Sequence, residues 1–80
     1  MKVKNLNRSS IKTKRLIKTV FAEMLSEYKE ISRISVSELC KRADISRGTF
    51  YAHYDDTYSV AEDYENERID RFFDNAKLLE

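Results

Sequence analysis

Apolar residues recur at helical spacing in two long stretches of this chain. From about Ser10 to Tyr28, the residues Leu16, Ile17, Val20, Phe21, Met24, Leu25 and Tyr28 fall on one helix face, with lysine, glutamate and serine opposite. Near the other end, Ile69, Phe72, Phe73, Ala76 and Leu79 form a second stripe, on a helix predicted to run from about Thr57 to the C-terminus. Two short segments lie between. Ser35-Val36-Ser37-Glu38 has the form of a capping box, a hydroxyl acceptor followed three residues on by a carboxylate. Val36, Leu39, Cys40 and Ala43 then give the buried face of a helix of about eight residues. Asp44 ends it, since aspartate enters the left-handed region more readily than most residues. Ile45 plugs the turn, and Ser46 is a second N-cap, opening a two-turn helix over Arg47-Gly48-Thr49-Phe50-Tyr51-Ala52-His53. Asp55 or Asp56 caps the fourth helix. The expected fold is all-α: a three-helix head in which helices 2 and 3 form a helix-turn-helix, plus a long fourth helix. Residues 1–9 read as a basic arm, 10–56 as the head and 57–80 as the fourth helix.

Composition narrows the chemistry. Eighty residues make one small domain, and one glycine with no proline leaves no Gly-rich phosphate loop or dinucleotide fingerprint. One cysteine and one histidine exclude a disulfide framework and a Cys/His zinc site. No apolar run approaches the ~20 residues that span a bilayer, and the N-terminus lacks a signal-peptide core, so an intracellular protein without a membrane partner is expected. The net charge of +1 conceals an asymmetry. Residues 1–20 carry seven Lys/Arg and no acid, whereas residues 55–80 carry nine acids against Arg68, Arg71 and Lys77. A basic first end and an acidic last end suit a chain whose first end meets a polyanion, although such a run can also be a solvated tail.

The third helix has the side chains of a recognition helix. Phe50 and Tyr54 can point inward with Ile45 and Leu39, leaving Arg47, Gly48, Thr49, Tyr51 and His53 outside. Arginine at a helix start can contact guanine O6 and N7 together, and the hydroxyls of Thr49 and Tyr51 can reach phosphate oxygens. Gly48 lets the backbone come close to a base edge. His53 beside Asp55 or Asp56 lacks a nucleophile pattern or metal cluster, so no catalytic residue, metal site or cofactor is assigned. Cys40 sits on a buried face, where free cysteine behaves as a small hydrophobe. Ser35 and Ser46 are most simply helix caps, and a capping hydroxyl can also face phosphate.

The run Ile34-Ser35-Val36-x-Glu38-Leu39-Cys40-x-x-Ala43-x-Ile45-Ser46-Arg47-Gly48-Thr49-Phe50-Tyr51-x-His53-Tyr54 resembles the DNA-binding domain of the TetR family of bacterial transcriptional regulators. Thr13-Lys14 and the first helical stripe fit that family's first helix, and the resemblance spans about residues 10 to 66. It implies a homodimer on a palindromic double-stranded operator in the bacterial cytoplasm, acting as a repressor relieved by a small ligand. It assigns base reading to Arg47, Gly48 and Thr49, and phosphate contacts to Lys14, Ser35, Tyr51 and His53. The family's phosphate-contacting lysine just inside the fourth helix falls here at Thr57, after Asp55 and Asp56. Its larger C-terminal domain, which binds inducer and dimerises, would begin where this chain stops, so the inducer site is expected outside it.

The stripe Ile69, Phe72, Phe73 and Ala76 lies too far along the fourth helix to be buried by the head. It is expected to contact a second copy or a further domain. A rival reading follows: a truncated interaction module that pairs through this stripe with a full-length relative and modulates it.

Overall fold

The computed structural model describes residues 8–78, with side chains described for residues 9–74. Most of the expected basic arm, residues 1–7, lies outside them, as do Leu79 and the side chain of Ala76. The described chain forms α1 (Arg8–Tyr28), a 3₁₀ turn (Ile31–Arg33), α2 (Val36–Ala43), α3 (Arg47–Tyr51) and α4 (Thr57–Leu78), with no strand among these residues. None of the described helices is long and apolar enough to cross a membrane.

The core is where the apolar face of α1 meets α2, α3 and the start of α4. Ile17, Phe21, Met24, Leu39, Phe50 and Val60 are fully enclosed. Val20, Ile34, Cys40, Ala43 and Tyr54 complete the cluster. Phe21 meets Tyr64 of α4 edge to face at 6.1 Å, a favoured aromatic arrangement. Leu16 departs from the expected stripe, being 41% exposed. A helix face wide enough to hold Ile17, Val20, Phe21 and Met24 has already turned past it.

Each helix end has a local cause. Ser35 Oγ accepts from the N–H of Glu38 at 3.0 Å, but only half of the capping box forms. The Glu38 carboxylate turns instead to the Tyr28 hydroxyl, which donates to it at 2.6 Å, and to Arg42. Asp44 ends α2 in the left-handed conformation, φ 59° and ψ 46°. Lys29 adopts φ 69° just after α1, its N–H returning to the Leu25 carbonyl at 2.8 Å. Ser46 Oγ caps α3 by accepting from Thr49 N–H at 3.0 Å. Asp56 Oδ1 caps α4, accepting from Ser59 N–H at 2.8 Å.

Two boundaries move. α1 starts at Arg8, two residues before the expected Ser10; Thr13 Oγ1 donates to the Ser9 carbonyl at 2.9 Å, giving that first turn a partner. α3 stops at Tyr51, short of the expected His53. The N–H groups of His53 and Tyr54 both converge on the Phe50 carbonyl, at 2.9 and 3.0 Å, which closes the helix into a turn.

The fully enclosed Phe50 ring is the pin that holds so short a helix. Phe50→Ala is expected to remove about 3–5 kcal/mol of stability, a large part of what a small domain has. A urea unfolding midpoint near the parent's would show that the ring contributes little to the core.

Candidate nucleic-acid interface

The turn between α2 and α3 sets the exposed face of α3. Asp44 reverses the chain, Ile45 N–H bonds the Cys40 carbonyl at 3.0 Å, and Ser46 starts α3. With Phe50 pinned inward, Arg47, Gly48 and Tyr51 are left exposed, at the i, i+1 and i+4 positions that share one side of a helix. Arg47 makes no ion pair among the described residues. Tyr51 is 53% exposed, and its ring stands edge-on to Phe50 at 5.3 Å.

Gly48 is informative because the head itself does not require it. It does not have a positive φ. A Cβ added there would meet only Ser46 Oγ, at 3.7 Å, an ordinary van der Waals distance. A glycine inside a helix forgoes up to about 1 kcal/mol against alanine, so its use at an exposed position fits a demand from outside the chain.

The other expected site residues are scattered. Thr49 is half-buried, its Oγ1 accepting from Ser46 Oγ at 3.0 Å. His53 lies past the end of α3 and is half-buried. Ser35 is exposed at a different helix end, the start of α2, with its oxygen engaged as a cap. Lys14 is half-buried, its ammonium 5.5 Å from the centre of the Tyr54 ring, within cation–π range. Thr57 requires correction. It is 5% exposed, so its side chain faces the core and is not presented to a phosphate. The exposed residue of that first turn is Tyr58, at 56%, which the motif comparison passes over.

Beneath the α3 face lies a polar cluster that sequence reading missed. The Tyr54 hydroxyl donates to Asp63 Oδ2 of α4 at 2.6 Å. Lys18 of α1 pairs with the same Asp63 oxygen at 3.5 Å and with Glu67 at 3.0 Å. Burial, then the bond to Asp63, pushes the Tyr54 phenol well above its usual value. The Tyr54 hydrogen bond, then Lys18 and Lys14, holds the Asp63 carboxyl below the ordinary carboxylate range. One signal was available: Asp63 lies three residues after Val60, on the edge of the buried face of α4. Its partner nine residues back, across a loop, follows no helical spacing. A second cluster joins α1 to α2, where Arg42 donates to both Glu27 oxygens at 2.7 and 2.8 Å. Cys40 is buried, its thiol pushed up by desolvation, which is the opposite of what a reactive thiolate needs.

No protein-family model matches the chain, and no solved structure does either. Among curated proteins, a 53-residue stretch is similar to part of a helix-turn-helix-type transcriptional regulator. That protein, the uncharacterized regulator YxbF of Bacillus subtilis (strain 168), is 30% identical over that stretch. The stretch is 66% of this chain but 14% of the relative. The similarity supports a helix-turn-helix, DNA-binding chain of the transcription-regulator kind.

Two outcomes follow from this geometry. Asp63 titrates lower folded than unfolded, so its contribution is complete above its unfolded value near 4 and is lost as pH falls through the lower, folded one. Urea midpoints between pH 7 and about pH 3 should therefore fall less steeply for Asp63→Asn than for the parent. Identical pH profiles would mean the cluster adds nothing. Gly48→Ala should stabilise the head by up to about 1 kcal/mol, read as a higher urea midpoint, while weakening duplex binding measured by fluorescence anisotropy. Unchanged or tighter binding would remove the argument for close backbone approach.

Proposed function

We propose that this chain is a sequence-specific, double-stranded-DNA-binding head of the TetR type. It acts in transcription as a repressor, by occupying a palindromic operator as two copies. One observation carries the reading: α3 exposes Arg47, Gly48 and Tyr51 on one side while Phe50 and Tyr54 anchor the other. The exposed Gly48 answers no need of the fold. The resemblance of Ile45 to Tyr54 to TetR-type motifs and the similarity to the Bacillus subtilis regulator point the same way. Binding of this kind requires no reaction and no cofactor.

Within this reading Arg47 supplies base discrimination by bidentate donation to a guanine. Tyr51 and the cap hydroxyl of Ser35 meet phosphates and set the register. Lys14, held over the Tyr54 ring, adds charge beside the same end of α3. Lys18 differs from the other cations of α1, because Asp63 and Glu67 already neutralise it. The rival reading, an interaction module with weak DNA binding of its own, draws on the exposure of Ile69, Phe72 and Phe73. Salt-dependent, sequence-selective binding by the isolated chain separates the two.

Selection from a randomised duplex pool gives the preferred site, and anisotropy titrations then compare parent and Arg47→Ala on its single-base variants. The substitution should erase about 1–3 kcal/mol of discrimination at one base pair and leave the others alone. An equal loss on every variant would make Arg47 a phosphate anchor. No selectable sequence at all would sink the function proposed here.

A further inference from the structure

α1 and α4 leave a cleft between them to which α3 contributes no residue. Arg15, Lys18, Thr19 and Ala22 line it from α1, and Tyr64, Glu67, Arg68 and Arg71 from α4. Both sets fall at i, i+3, i+4 and i+7, so each forms one row along its helix. Phe21 and Tyr64 hold the helices together beneath these rows. Thr19 and Ala22 are short, and beside Tyr64 a space of about 420 Å³ remains open. A water takes up only about 30 Å³, whereas small-molecule sites run from about 300 to 1,000 Å³. The cleft is therefore of a size for an organic ligand.

Charge selects the occupant. Four cations line the cleft against two carboxylates, Glu23 and Glu67. Glu67 is already shared, meeting Lys18 at 3.0 Å and Arg71 at 3.4 Å, and Lys18 is further engaged by Asp63. Arg15 and Arg68 form no ion pair among the described residues. Arg68 lies instead 5.7 Å from the centre of the Tyr64 ring, a contact that orients the guanidinium without neutralising it. Two uncompensated guanidiniums thus line one cleft from opposite helices, an arrangement that concentrates anions. We infer that the cleft binds a small organic dicarboxylate, one carboxylate at Arg15 of α1 and the other at Arg68 and Arg71 of α4. A guanidinium fork matches a carboxylate with two parallel hydrogen bonds. A molecule with a carboxylate at each end answers both walls, whereas inorganic phosphate answers one and leaves most of the space to water. Glu23, in the same cleft and also without an ion pair, disfavours a more highly charged ligand. None of this depends on what α3 contacts.

The test uses the 80-residue chain without DNA, so its failure is distinct from a failure to read DNA. Glutarate, isophthalate, benzoate and inorganic phosphate are titrated at fixed ionic strength and followed by backbone-amide NMR shifts. The amides of Thr19, Ala22 and Tyr64 should shift and saturate with both dicarboxylates, at a Kd of about 0.1–1 mM. Benzoate and phosphate should bind at least about tenfold more weakly. Arg15→Gln and Arg68→Gln should each weaken the dicarboxylates at least about fivefold. Because both side chains are exposed, these variants should unfold at the parent's urea midpoint. Glu23→Gln should tighten binding, and Lys41→Gln, which removes an exposed cation of α2 outside the cleft, should leave it unchanged. No saturable shift at these amides by about 10 mM dicarboxylate would overturn the proposal. So would benzoate or phosphate binding as tightly as the dicarboxylates, or dicarboxylate binding indifferent to both arginines.

Discussion

The hydroxyl of Tyr54 sits where three helices meet. It leaves the turn after α3, donates to Asp63 of α4, and lies beside the lysines of α1 that face the same carboxylate. A five-residue helix has too few internal hydrogen bonds to persist alone. α3 therefore exists only because Phe50 is enclosed beneath it and Tyr54 is tied down just beyond its end. The direction of its exposed face is set by those two aromatic anchors more than by helical propensity. No buried side-chain nitrogen or oxygen of the described residues lacks a partner, as an unpaired group there would be costly.

The charge asymmetry of the chain has an internal use as well as an external one. The basic helix α1 lies along the acidic start of α4, and Lys18 joins the two through Asp63 and Glu67. Lys18 is mostly shielded from water, so this pairing is less screened than a surface bridge. The Arg42 guanidinium does similar work on the other side of the head, fixing α2 to α1 through Glu27, while Glu38 reaches α1 through the Tyr28 hydroxyl. An exposed pair of this kind adds little, but the bidentate Arg42–Glu27 geometry restricts how α2 can turn. The outward cations are thus fewer than the sequence count suggests, and Arg47 stands among the unneutralised ones.

Much was legible in the chain without coordinates, because it depended on neighbours in sequence. The caps at Ser35 and Ser46, a cap for α4 at Asp55 or Asp56 (the structure selects Asp56), the left-handed stop at Asp44, and the burial of Leu39, Cys40, Phe50 and Tyr54 all follow from local chemistry and helical period. So does the isolation of the Ile69, Phe72 and Phe73 stripe, since a helix of 22 residues outreaches a head this small.

Tertiary structure decided what local rules leave open. Glu38 abandons half of its capping box because Tyr28, ten residues back on α1, together with Arg42 one turn on, offers its carboxylate better partners. Leu16 falls outside the core because packing selects a narrower stripe than apolar residues alone define. Thr57 turns inward because the first turn of α4 must seat Val60 against α1, which leaves Tyr58 outside in its place. The Tyr54–Asp63–Lys18 cluster follows no period at all, since it joins three elements across a loop. Sequence by itself determined where helices start, stop and hide their apolar faces, as those depend on interactions within about four residues. Only the packed head decided which polar groups meet and which way α3 faces, because those are set by how separate helices share one small core.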